Sequence, residues 1–280
     1  MVSRSYLLPL ALVGLACASA GAGVPDLTPA PAPQQARVIQ DDDWCRESGY
    51  DRDRDHYCEV REFTLRADRE VVAVDASPNG GIMIEGWDRN EILVRAKVQA
   101  QSRDEGGARE IAGEVEVTAG RTIEADGPRT RRGESWYVSY RVYVPYDSNL
   151  ELESTNGGIT INDVSGRLYF RTTNGGIKLN GLSGDVDGRT TNGGVTVELS
   201  GDGWEGAGLD VQTTNGGVKV YLPDGYNCRL ETGTVNGSFR IDFPIMVQGR
   251  IDRRIEATLG DGGQTIRVTT TNGSVRIGRR

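Results

Sequence analysis

The residues in this chain that could carry bond chemistry are few and poorly placed for it. His56 is the sole histidine, and no nucleophile near it completes a Ser-His-Asp or Cys-His arrangement. Asp51, Asp53, Asp55 and Glu62 fall where a calcium loop keeps ligands. However, His56 stands where that loop needs a glycine for its sharp turn, and Arg52 and Arg54 offset the charge. A solvated acidic loop is the simpler account. Asp185, Asp187, Glu198, Asp210 and Glu231 are the acids a carbohydrate-cleaving site would draw on. They are spread over different predicted strands and mixed with arginines, so they read as cross-strand ion pairs, each of little energetic weight. No catalytic residue, metal ligand or cofactor is implied.

Cys45 and Cys58 belong to a polar segment too poor in apolar residues to order itself, and they read as a disulfide closing residues 41–62. On the loop-entropy view such a bridge contributes about 3 kcal/mol. Cys228 is left over. Counting back from Asn236, it falls in phase with Leu230, Thr232 and Thr234, the inward positions, and so reads as a small apolar filler.

What must position any site is a repeat. Thr-Asn-Gly-Gly recurs at Asn156, Asn174, Asn192 and Asn215, with Asn-Gly-Ser variants at Asn236 and Asn272 and an earlier relative at Asn79. Glycine, at 38 residues of 280, is about twice its usual share. A period near twenty residues with insertions predicts stacked repeats. After each turn apolar residues alternate with polar ones, as in Ile159 and Ile161, Ile177 and Leu179, Val195 and Val197, Val218 and Val220. A second alternating strand precedes each turn, with Leu168, Phe170, Val186, Leu209, Val211 and Leu230 inward. Asn-Gly also suits antiparallel hairpins. The same residue types at the same phase favour an all-β, parallel β-solenoid. Its Asn residues would form a ladder bonding backbone in the next coil. The match of Asn236-Gly237-Ser238 and Asn272-Gly273-Ser274 to glycosylation sequons is discounted, because both are repeat turns. One short helix is expected near 103–113, with Ser102 to Glu105 as a capping box.

Residues 1–20 read as a signal peptide: Arg4, an apolar run from Leu7 to Ala16, then Ala18-Ser19-Ala20. Cys17 offers a second reading, cleavage before a lipid-anchored cysteine. Residues 21–40, rich in Pro and Ala, read as a linker, and 63–280 as the solenoid. No later segment is apolar and long enough for a transmembrane helix. Without the signal, 31 basic residues face 40 acidic ones, which argues against nucleic acid or an anionic lipid surface as partner. Basic and acidic residues alternate, so no steering patch stands out.

The Trp44-Cys45 start with Cys58-Glu59-Val60-Arg61-Glu62, the Val142-Tyr143-Val144-Pro145 lead-in to Thr155-Asn156-Gly157-Gly158, and the Gly260-Asp261-Gly262-Gly263 ending resemble the bacterial putative-adhesin domain family. The resemblance covers roughly residues 41–280. It implies a β-solenoid without established catalytic residues. Two roles follow as expectations: an exported, adhesin-like module of the cell envelope binding a surface glycan or envelope protein, or a structural envelope component without a ligand. A carbohydrate-active enzyme ranks behind both.

Overall fold

The computed structural model describes residues 36–40, 43–46, 55–68, 70–242 and 253–280, within the unit Pro33–Arg280. The signal segment, Cys17, Asp51, Asp53 and most of the 21–40 linker lie outside the described residues.

The alternating segments form two sheets that face each other across one apolar core. Each coil contributes one strand to each sheet, joined by its Asn-Gly-Gly corner. The strands after the corners, such as Ile159–Asn162, Ile177–Asn180, Val195–Glu198 and Val218–Leu222, pair parallel and in register in sheet I. Ile159, Ile177, Val195 and Val218 are therefore stacked neighbours, all buried. The strands before the corners, Ser165–Thr172, Ser183–Asn192 and Gly208–Asn215, do the same in sheet II. Parallel in-register pairing decides for the solenoid and against antiparallel hairpins at Asn-Gly-Gly.

Two details of the corner explain its sequence. A Cβ on the first glycine of each turn, Gly157, Gly175, Gly193, Gly216, Gly237 or Gly273, would overlap the first-glycine carbonyl of an adjacent coil. That same carbonyl accepts a hydrogen bond from a buried threonine hydroxyl: Thr172 to Gly157, Thr190 to Gly175, Thr213 to Gly193, at 2.7–2.8 Å. The Asn ladder differs from expectation. It runs side chain to side chain, Nδ2 donating to Oδ1 from Asn236 to Asn272, then Asn215, Asn192, Asn174, Asn156 and Asn79, at 2.7–2.9 Å. In-register stacking sets identical amides one strand apart, so each finds its donor and acceptor in its own kind.

Further features go beyond what the repeat encodes. Coils do not stack throughout in chain order: the Asn272 coil lies between those of Asn215 and Asn236 in both sheets. Beyond the Asn236 coil, Arg254–Leu259 pairs antiparallel with Cys228–Asn236 and covers the edge of sheet II. The expected helix is present as Glu105–Glu114, but its N-cap is Asp104 and not Ser102: the Asp104 carboxylate accepts from the Gly107 N–H at 2.8 Å. Asp104 serves the last exposed N–H directly, so Ser102 remains in its strand. A second helix, Asp43–Arg46, joins it.

Nor is 41–62 a loop throughout. Asp55–Arg66 is a strand, paired with Glu91–Ser102 on one side and with Arg37–Ile39, from the expected linker, on the other. Asp55 and Glu62 sit on that extended run, which cannot wrap an ion as a calcium loop does. The Cys45–Cys58 disulfide ties the short helix to this strand, with Cα atoms 5.8 Å apart. Trp44 packs there between Lys97 and Arg141, its ring 4.7 and 4.8 Å from their charges.

Cys228 is fully buried and free. Burial pushes its thiol up to about 12 from an ordinary 9.0. The folded state therefore disfavours the thiolate, and this contribution to stability fades as pH rises from about 9 towards 12. Iodoacetamide at about pH 8 should leave Cys228 unlabelled in the native protein and label it once denatured. Rapid native labelling would place the side chain on the wrong face of its strand.

Candidate functional site

On the outer face of sheet II, side chains at one repeat phase form rows across the strands. Three positions before each Asn the row reads Glu153, Arg171, Arg189, Gln212, Thr269, Gly233, and it ends on Arg254 in the antiparallel strand. One position before each Asn it reads Thr155, Thr173, Thr191, Thr214, Thr271 and Val235. From Arg171 and Thr173 onward these two rows line a groove of about 740 Å³ together with Arg253 and Arg254.

A flat sheet has no groove, so something must supply a wall. Gly233 has outward phase yet is buried, and a Cβ there would lie 3.1 Å from the Arg253 carbonyl oxygen. There the chain at Arg253–Arg254 pairs with the Gly233 strand, the Thr234 N–H donating to the Arg253 carbonyl at 2.9 Å, and so continues sheet II by one strand. Gly233 leaves the floor open beside it, and the two arginine side chains form the wall at that edge. Arg171, Arg189, Arg253 and Arg254 are all exposed, and among the described residues no acid lines the groove. Arg171 is steadied by donating to the Tyr169 hydroxyl at 2.5 Å.

The acids singled out from the sequence lie elsewhere. The adjoining row of sheet II runs Glu151, Tyr169, Asp187, Asp210, Arg267, Glu231. Arg267 holds Glu231 at 2.7 Å and Asp210 at 3.1 Å. The Glu231 hydrogen bond, ahead of that from Asp210, keeps the guanidinium more firmly protonated than usual. Such pairing neutralises carboxylates; it does not prepare an acid and a base. Asp185, Asp187 and Asp210 border one shallow hollow with Arg267. Glu198 belongs to sheet I, 3.9 Å from Arg280. The structure thus gathers four of the five acids on sheet II, with Arg267 between Asp210 and Glu231, and sets Glu198 apart on sheet I. His56 is on the strand Asp55–Arg66, opposite Gln101. The ladder asparagines form the rim of the corner, where their amides are spent on one another.

Sheet I also presents cations in one row, Lys178, Lys219, Arg276 and Arg240, with Thr196 between the two lysines. Arg276 is paired with Asp242 at 2.8 Å. Three tyrosines could offer a stacking platform: Tyr143, Tyr169 and Tyr221. Tyr143 stacks on Trp87 at 5.3 Å with Arg89 over the Trp87 ring, which covers that platform. Tyr169 and Tyr221 lie on different sheets.

The expectation that no charged patch stands out is therefore overturned. The repeat phase already placed Arg171 and Arg189 one strand apart, and reading across repeats at three before Asn finds them. Arg253 and Arg254 carried no such signal, because they lie outside the repeat.

A two-sheet parallel solenoid with an arginine-walled groove defines the class. The chain belongs to the Toastrack DUF4097 family, which matches residues 112–278, more than half of its length. Similar solved structures include a "putative cell adhesion protein" from Clostridium sporogenes, with TM-score 0.43, 13% identity, and coverage of 81% of this chain and 100% of that one. A "putative adhesin" from Bacteroides fragilis gives TM-score 0.39 and 11% identity, covering 80% of this chain and 97% of its own. A "putative lipid binding protein" from Parabacteroides distasonis gives 0.29 and 10%, covering 78% and 96%. No curated protein matches the chain in sequence.

Proposed function

We propose that this protein is an exported binding module of the bacterial cell envelope, which holds its ligand on the outer face of sheet II and performs no covalent chemistry. The groove carries the proposal: its four arginines and its row of hydroxyls face solvent. Such groups can grip a ligand, and they lack the paired acid and base that hydrolysis needs. Export is supported by the signal-like residues 1–20 and by the Cys45–Cys58 disulfide, which persists in oxidising compartments. Lipid attachment at Cys17 would hold the module at a membrane surface, with no membrane-spanning helix among the described residues.

A glycan array and washed envelope fractions, both probed with the labelled full chain, test this. Retention on a defined subset of glycans or on the envelope fraction is expected. Retention on neither would sink the binding role and favour the structural one.

A further inference from the structure

We propose that the groove takes an acidic polysaccharide, laid across the strands along the solenoid axis. This rests on the binding role above and names its ligand class.

Three features of the groove select such a chain. Its cations lie at two ends. Arg171 and Arg189 stand on adjacent strands, and Arg253 and Arg254 form the wall. Between Arg189 and Arg254 the register passes through Gln212, Thr269 and Gly233. Those four strand steps span roughly 19 Å at about 4.8 Å each. Planar guanidinium forks suit carboxylate or sulfate groups at the ends. The amide of Gln212 and the hydroxyls of Thr191, Thr214, Thr271 and Thr269 suit sugar hydroxyls between them.

The same surface disfavours other polyanions. Single-stranded nucleic acid is held by stacking its bases on aromatic rings, and among the described residues no aromatic lines the groove. A flat anionic membrane would meet the acidic row of Asp187, Asp210 and Glu231 beside the groove, and a chain of net charge −8 overall. A narrow linear polymer touches the arginines without covering that row.

The probe is a fluorescent oligogalacturonate, titrated with the full chain at about 0.15 M salt. A neutral maltooligosaccharide of equal length, phosphatidylglycerol vesicles and a single-stranded oligodeoxynucleotide are the comparators. Saturable binding of the oligogalacturonate alone is expected. Arg189→Gln with Arg254→Gln should weaken it roughly ten- to a hundred-fold, the scale of losing two charge-assisted forks. Lys178→Gln with Lys219→Gln removes the same charge from the opposite sheet and should change it by about two-fold or less. All four residues are exposed, so unchanged thermal melts will show that the variants fold. No oligogalacturonate binding, equal loss in both variants, or tighter binding of vesicles or oligonucleotide would overturn the proposal. Envelope retention that survives Arg189→Gln/Arg254→Gln would leave the binding role standing and remove the groove as its site.

Discussion

Gly193→Ala should cost about 3 kcal/mol or more of folding stability, whereas Gly194→Ala should cost under about 1 kcal/mol. The two glycines are neighbours in one corner, and a residue-type scale treats them alike. What separates them is the adjacent coil. At Gly193 a methyl group would overlap the Gly175 carbonyl and lie 2.9 Å from the Gly176 nitrogen, both backbone atoms that cannot turn aside. At Gly194 its nearest neighbour is the Gly217 carbonyl oxygen at 3.3 Å, which small adjustments can absorb. Neither glycine has positive φ, so the difference is contact and not backbone conformation. The two divergent repeats agree: Ser238 and Ser274 replace the second glycine, while Gly237 and Gly273 keep the first. Shifting the Asn192 coil to relieve the overlap would stretch the Thr190 bond to Gly175 and the Asn192 bond to Asn174, both 2.8 Å. Urea midpoints of the two variants and of Gly194→Ser provide the measurement. Equal losses at both positions would mean that coil spacing does not depend on the first glycine.

Much of this architecture is legible because a solenoid repeats its physics. Period-two alternation places Ile177 and Phe170 inward without knowledge of any partner strand, and a one-residue slip would turn every such side chain outward. The disulfide is legible from compartment and spacing. What stays hidden is whatever leaves phase unchanged. Exchanging whole coils keeps every apolar residue facing in, so the sequence does not distinguish Asn215–Asn236–Asn272 from the observed Asn215–Asn272–Asn236. The long antiparallel pairing at the N-terminal end, Asp55–Arg66 against Glu91–Ser102, also follows from contacts distant in sequence. The groove divides in the same way. Its arginine row is readable across repeats, and its wall at Arg253–Arg254 depends on a strand that belongs to no repeat.

Removal of residues 260–280 should abolish folding of the C-terminal coils, although a last repeat is ordinarily the most dispensable part of a solenoid. Here the final segment is interior. Thr265–Asn272 pairs with Gly208–Asn215 on one side and Cys228–Asn236 on the other, and Val275–Arg279 lies between Val218–Leu222 and Phe239–Ile241. Ile266, Val268, Val275 and Ile277 are completely buried. At about 1.5–3 kcal/mol for each buried aliphatic side chain, their loss is comparable with the whole stability of a typical domain. The Asn236 coil and its Arg254–Leu259 strand would also lose the sheet they attach to, leaving Cys228 without cover. Cys228 labelling and the urea transition should therefore both change in the truncated chain. An independent measure of order comes from cysteine pairs on the outward threonine row. Thr214→Cys with Thr271→Cys should crosslink readily, because those positions face each other on adjacent strands between the paired Thr213–Thr270 and Asn215–Asn272. Thr214→Cys with Val235→Cys should not, because the Asn272 coil separates them. The opposite crosslinking pattern would restore chain-order stacking and make the last coil an end cap, with the Arg254–Leu259 strand no longer at the edge it guards.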